Sequence, residues 1–296
     1  MARCLVTSYG FVARHLVNAL LRQGYVVSVV EKELSRVDVP EGVDVIKADL
    51  RYWEGPDQPF DYVFHLAGIT NAVYAETNPM EAFEANVLAT ANLLAKCRPR
   101  KRLIFTSSAV VYGQSQSPLK ESDPLVPIST YGVTKLAAEE LVRLHVRTKG
   151  LSAVISRFFN LYGPGQSPLY IVPQLIIQAQ EGCIRLKNRA TERDFVYVGD
   201  AVDCLIMLAS APISGAVNIG SGSSLTVYEL AKAVSSLFGG VRISVGHQHE
   251  RFSADRLVAD ISVARRLGWE PKTHLLEGLK STIGPAFSTK RFSPTI

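Results

Sequence analysis

The chain has 296 residues, 47% of them hydrophobic and 20% charged, and a formal net charge of +5. That composition suits one large globular domain or two intimate ones, and excludes a disordered, fibrous or disulfide-scaffold protein. The basic excess falls mostly in residues 151–296; it is too diffuse and too poor in interleaved aromatics for a nucleic-acid surface, and favours a small anionic ligand there.

Arg3-Cys4-Leu5-Val6-Thr7 already reads as a structural strand, so no secretory leader is expected. No apolar run reaches the roughly 20 residues of a membrane span. Cys4, Cys97, Cys183 and Cys204 are not at metal-ligand spacing and most sit in apolar segments. They read as buried thiols of a reducing compartment, which predicts a cytoplasmic protein.

Cys4–Thr7 is predicted as a strand, and Phe11–Leu21 as a helix with Val12, Leu16 and Leu20 on one face. Strands are expected at Tyr25–Val30, Val43–Lys47 and Tyr62–Leu66. A strong helix over Pro79–Lys96 follows. The basic run Arg98-Pro99-Arg100-Lys101-Arg102 reads as a solvated loop leading into the strand Arg102–Thr106. The long helix Ser129–Lys149 precedes the strand Ser152–Ser156. Continuous rather than alternating apolarity marks strands buried on both faces, and strand–helix alternation demands a parallel sheet.

Beyond residue 157, Gly163, Pro164, Gly165, Pro168 and Pro173 loosen the rhythm. Helices are expected near Val172–Glu181, Asp200–Ser210 and Val227–Phe238, with strands near Asp194–Val198 and Ala216–Ile219. His247-Gln248-His249 has no third ligand nearby and reads as a loop pair, so no metal site is predicted. The fold class is therefore α/β: a Rossmann-like doubly wound parallel sheet with a smaller C-terminal α+β lobe. Residues 1–157 are expected to form the dinucleotide-binding domain and 158–296 an interleaved substrate lobe.

Strand, turn, Gly10 and helix is the layout of a dinucleotide site, because helix amides and the helix dipole attract a pyrophosphate. Ser8, Gly10, Phe11 and Val12 form that turn. Glu31 ends the next apolar run; an acid there accepts from both adenosine ribose hydroxyls and repels a 2′-phosphate, favouring NAD over NADP despite Lys32 beside it. Asp49 and Leu50, after the following strand, are candidates to meet the adenine. The loop has one glycine where the full fingerprint has three, so Ser8 must take the tight-turn geometry, at a cost of about 1 kcal/mol if φ is positive.

Tyr131 and Lys135 stand four apart on one helix face. Thr106-Ser107-Ser108 ends a strand, so its hydroxyls emerge at the carboxyl edge of the sheet. A tyrosine is a poor base at neutral pH unless a neighbouring cation favours its phenolate.

On these residues the chain resembles the extended short-chain dehydrogenase/reductase family, in the branch that epimerises, dehydrates or reduces nucleotide sugars. The likeness covers about residues 2–280. It rests on Gly10-Phe11-Val12, His65-Leu66-Ala67-Gly68, Asn86-Val87-Leu88-Ala89-Thr90, Ser108 with Val111-Tyr112-Gly113, Tyr131 to Lys135, and Arg157-Phe158-Phe159-Asn160 through Gly165. Arg193-Asp194-Phe195, Asn218-Ile219-Gly220 and Leu267-Gly268-Trp269 complete it.

The resemblance implies NAD as cofactor, a nucleotide-diphosphate sugar as substrate, and Tyr131 as the acid/base. Lys135 would hold the nicotinamide ribose and lower the Tyr131 pKa, while Ser108 bonds the reacting sugar oxygen. Leu66, Ala67, Gly68 and Asn86 would line the cofactor. Asn160 and Arg193 would bind the diphosphate, with Val172 near the base and Arg256 as a further phosphate or nucleotide contact. The family usually has glycine where Ser8 and Ala13 stand, and its loop is one residue longer. Asn71-Ala72 replaces its usual Ser-Val, and Arg251-Phe252-Ser253 stands where it has a Pro-Gly-Asp-like stretch.

Dehydratases of this group resemble one another in an Asp-Glu pair after the Ser/Thr; here Ala109 and Val110 stand there, which disfavours 4,6-dehydration. The expectation is a C4 epimerase working through a 4-keto sugar. The alternatives are a 4-ketoreductase using NAD(P)H and a non-catalytic nucleotide-sugar or dinucleotide-binding protein. The helices at Pro79–Lys96 and Ser129–Lys149 are apolar on more than one face, and family members commonly dimerise through two such helices, so a homodimer is expected.

Overall fold

Short apolar runs in the first half become strands because the central ones are covered on both sheet faces by amphipathic helices. The computed structural model describes residues 1–33, 39–187, 189–246 and 254–288. His247-Gln248-His249 and Arg251-Phe252-Ser253 lie outside the described residues.

In chain order the first half runs β1 (Arg3–Thr7), α1 (Phe11–Arg22), β2 (Val26–Glu31), β3 (Asp44–Lys47), β4 (Tyr62–His65), α2 (Ala72–Thr77), α3 (Pro79–Phe83), a π-helical turn (Glu84–Leu88), α4 (Ala89–Lys96), β5 (Arg102–Ser108), α5 (Thr130–Lys149) and β6 (Ala153–Phe158). The second half adds β7 (Asn160–Tyr162), α6 (Ile171–Gln180), β8 (Cys183–Leu186), β9 (Glu192–Arg193), β10 (Phe195–Tyr197), α7 (Val198–Ser210), β11 (Gly215–Ile219), β12 (Leu225–Thr226), α8 (Val227–Leu237), β13 (Arg242–Val245), β14 (Arg256–Leu257), α9 (Ser262–Arg266) and α10 (Leu275–Ser288).

The main sheet has seven strands in the order β11-β6-β5-β4-β1-β2-β3, every pair parallel. The chain winds outward from β1 on one side and from β4 on the other. The crevice between their carboxyl ends is the switch point where open α/β sheets bind ligands. β11 comes from the second half, so that half completes the sheet before it builds β12-β9-β14, β13-β8 and β10-β7. A separate apolar cluster centred on Leu175, Ile176, Ile184 and Leu230 holds α6, α8 and β8 together.

The helix predicted over Pro79–Lys96 is present and carries a π turn at its centre, a feature common at functional sites. Apolar spacing cannot reveal one inserted residue, but the hydrogen bonds can. Asn86, in that turn, accepts from Ile69 N at 2.8 Å and donates to Ile69 O at 3.1 Å and Thr134 Oγ1 at 2.9 Å. Those bonds offset the helical ladder disturbed by the wider turn.

Arg157 and Glu139, both fully buried, pair at 3.0 and 2.8 Å through two parallel bonds that tie β6 to α5. Cys4, Cys97 and Cys204 are buried thiols; Cys183 is half-buried. Among the described residues no helix is long and apolar enough to cross a membrane, and no three His, Cys, Asp or Glu side chains gather as a metal site.

Candidate active site

A cavity of about 330 Å³ opens at the carboxyl edge of the sheet. Ser8, Gly10, Phe11 and Val12 line it at the start of α1, Leu66 and Gly68 after β4, Ser108 after β5, Tyr131 and Lys135 on α5, and Asn160 at the start of β7. Residues far apart in the chain thus share one space because successive parallel strands all end there.

Each element is aimed by local chemistry. The Ser129 hydroxyl caps α5 by accepting from Gly132 N at 3.1 Å, which places Tyr131 in the first turn. Gly132 must be glycine: a Cβ there would stand 2.8 Å from Pro127 Cβ and 2.9 Å from Val110 O. Behind Leu66 and Gly68, the Thr7 hydroxyl accepts from Leu66 N and Ala67 N, both at 3.0 Å. Its single hydrogen therefore goes to His65 Nδ1 at 2.8 Å. That leaves His65 Nε2–H to donate to Thr90 Oγ1 at 2.9 Å, and the Thr90 hydroxyl to donate to Asn86 O at 2.6 Å. Burial, then the Lys135 charge, pushes the His65 pKa down to about 3, so the imidazole is neutral and this chain of bonds has one direction.

Burial pushes the Tyr131 phenol well above its ordinary value of 10.0; the neighbouring Ser108 hydroxyl pulls the other way, and Tyr170 adds to the rise. Burial brings Lys135 down to about 8, opposed by the Glu139 carboxylate one turn on. Lys135 Nζ donates to Thr106 O at 2.5 Å and lies 4.8 Å over the Phe105 ring. The ammonium is thus tied to β5, and the neighbouring Ser108 hydroxyl favours the phenolate.

The turn before α1 leaves room for a ligand against its backbone. Gly10 caps the helix without a side-chain bond, and a Cβ built on it would meet nothing nearer than Ser8 Oγ at 3.9 Å. The first-turn residues Phe11, Val12 and Ala13 line the cavity, which fits a dinucleotide phosphate group. Ser8 adopts φ +67°, the strained geometry anticipated for it.

The remaining expected contacts have partners within the protein. The Glu31 carboxylate accepts from Tyr9 N at 2.8 Å and Lys32 N at 2.8 Å. Asp49 is held by Arg51 N and Nε at 3.0 Å and by Lys32 at 3.3 Å, so its carboxylate is already well supplied with donors; the Arg51 bonds hold its pKa below the usual range. Leu50 is buried in the core beside it. The Asn86 side chain is spent on Ile69 and Thr134, behind the cavity wall. Val172 is buried in α6. Arg193 donates to Glu192 O at 2.8 Å, and Arg256 Nε to Glu192 at 3.0 Å. Among the described residues Arg256 Nη1 is buried with no protein acceptor. Both arginines lie next to the cavity-lining Phe195 and Leu257 in β10 and β14.

The sequence pattern described as the NAD dependent epimerase/dehydratase family matches residues 5–220. The chain belongs to this family. The UDP-glucose 4-epimerase of Thermus thermophilus, solved with NAD, is 28% identical with a TM-score of 0.85, covering 95% of this chain and 97% of that one. MoeE5, solved with UDP-glucose and NAD, is 32% identical with a TM-score of 0.85 over 95% and 97% of the two chains. UDP-glucuronic acid decarboxylase 3 of Arabidopsis thaliana is 31% identical over 298 residues, 91% of this chain and 84% of that one. The chain is thus an enzyme-family member of the extended short-chain dehydrogenase/reductase branch, among relatives with several reactions on UDP-sugars.

The site also includes residues that periodicity does not reveal. Thr70 and Tyr170 line the cavity and join their hydroxyls at 2.7 Å across its two sides. Gln166, Phe158 and Phe159 line it too. The Pro/Gly-rich stretch around Gly163 marks this loop only as a loop, and nothing in its spacing points inward.

Proposed function

We propose that this protein is an NAD-dependent epimerase of nucleotide-diphosphate sugars acting at C4 through a 4-keto intermediate. The observation that carries the reading is that Ser108, Tyr131 and Lys135 line the same cavity as the start of α1, with Tyr131 and Lys135 buried. Ala109 and Val110 follow Ser108, so the 3-10 turn there offers no carboxyl group for removal of water. The relatives solved with NAD and UDP-glucose support both ligand classes.

When bound, NAD supplies a hydride acceptor that returns the same hydride, and a cationic ring that favours a nearby phenolate. In this reading Ser108 holds the C4 oxygen. Tyr131 removes the hydroxyl proton as the C4 hydride departs, and gives it back when the hydride returns to the opposite face of the ketone. Atoms and electrons balance over the cycle, with no net redox change. Lys135 holds the cofactor ribose. Asn160, Arg193 and the unpaired Arg256 Nη1 take the diphosphate. Residues 1–157 act as the cofactor half and 158–296 as the substrate lobe.

A homodimer belongs to the same proposal. Val73 and Met80 are 76% and 69% exposed. They sit with exposed Phe83, Leu88, Val133 and Leu144 on α2–α5, helices that pack against one another.

Proton NMR of UDP-glucose and UDP-N-acetylglucosamine incubated with the protein and substoichiometric NAD tests the reading. The C4 epimer is expected, with no cofactor consumed and at least ~100-fold slower turnover in Tyr131→Phe. Stoichiometric oxidation of NAD(P)H by a keto-sugar would make the protein a ketoreductase. Absence of bound dinucleotide and of any sugar conversion would make it a binding protein.

A further inference from the structure

The turn between β1 and α1 departs most from a three-glycine loop, and its geometry is specific to this chain. Ser8 is the one non-glycine residue with positive φ among those described. A residue with a Cβ does not stay in the left-handed region without restraint.

The restraint converges on Tyr9. Its amide donates to Glu31 Oε2 at 2.8 Å. Its carbonyl accepts from Arg14 Nε at 3.4 Å, and that guanidinium lies 5.7 Å over its ring. The ring itself is buried in the core that packs α1 and α7 on the sheet. Just before it, Ser8 N donates to Val30 O at 2.8 Å, next to Glu31. The other Glu31 oxygen accepts from Lys32 N at 2.8 Å and Glu33 N at 3.4 Å. A carboxylate offers about four acceptor sites, and backbone amides already occupy most of them here.

We infer that Glu31 is a positioning residue that fixes the Ser8–Gly10 turn through the Tyr9 amide, and so shapes the cavity wall that meets the dinucleotide phosphates. In this short loop the Tyr9 amide lies within reach of the acid at the end of β2. Glu31 then acts on the whole cofactor, including its nicotinamide end, and not only on an adenosine ribose. The inference rests on the reading of this cavity as the NAD site, and one arm of its test is independent of that reading.

Hydrogen exchange of the Tyr9 amide in the unliganded protein is that arm. The amide is protected in the wild type, and Glu31→Ala speeds its exchange at least ~10-fold. Glu31→Gln keeps a carbonyl acceptor and restores the protection. Calorimetric titration with NAD and with nicotinamide mononucleotide, which carries no adenosine, is the second arm. Glu31→Ala weakens both probes by similar factors, and Glu31→Gln restores mononucleotide binding.

An unprotected Tyr9 amide in the wild type overturns the inference whichever variants fold. Unchanged exchange in Glu31→Ala overturns it too, as does weakened NAD binding with the mononucleotide unaffected. If the wild type binds neither probe, the cofactor reading fails while the exchange arm still decides the role of Glu31.

Discussion

Lys135 donates to the Thr106 carbonyl at 2.5 Å, inside a cavity wall that brings its pKa from 10.5 down to about 8. The fold therefore disfavours the ammonium. Between those two values the unfolded chain binds more protons than the native one, so stability rises with pH; the full cost is present below about 8. Lys135→Met removes that cost, partly offset by the lost bond to Thr106. The variant is expected to gain about 1–2 kcal/mol at neutral pH and to lose turnover. Thermal melts compared at neutral pH and near pH 10 check the sign, since the gain must shrink at the higher pH.

Ser8 pays for its left-handed backbone, at φ +67°. Ser8→Gly removes about 1–2 kcal/mol of strain and adds about 0.5–1 kcal/mol of chain entropy lost on folding. A small net stabilisation follows, read as a higher urea midpoint with an unchanged slope. A lower midpoint would show that the serine hydroxyl matters more than the backbone.

The pair between Arg157 and Glu139 is buried and doubly bonded. Arg157→Leu leaves the Glu139 carboxylate with Arg143 alone at 2.7 Å, from the partly exposed side of α5. Stability is expected to fall by about 3 kcal/mol, in denaturant titration, because the buried carboxylate loses two of its hydrogen bonds and keeps only the Arg143 pairing.

Val133 is 54% exposed on the outer face of α5, one residue beyond the buried Gly132. Val133→Glu should convert a dimer to a monomer in sedimentation velocity while the helix still forms, since a charge in the centre of an apolar interface has no partner. A wild type that sediments as a monomer at micromolar concentration removes the homodimer from the proposal.

The sheet was legible because its central strands are buried on both faces, as along the middle of Val26–Glu31 and Arg102–Ser108. Tyr131, Lys135 and Ser108 were legible because helical spacing and a strand end are local facts. The π turn was not, since Asn86 reveals it only through partners at Ile69 and Thr134. Nor were the commitments of Glu31 and Asp49, whose carboxylates are occupied by Tyr9 and Arg51, partners that no periodicity names. Thr70 and Tyr170 are 100 positions apart in sequence and meet only because two loops cross the same sheet edge.

Helix α5 presents Tyr131 and Lys135 to the cavity and Val133 and Leu144 to the outside. It is a single stiff rod, anchored along its buried side by Glu139. A mate seated against its outer flank would therefore press on the same lever that aims the phenol. In such a dimer subunit contact and proton transfer would be mechanically inseparable, and a surface change many side chains away from the sugar would be felt at its reacting carbon.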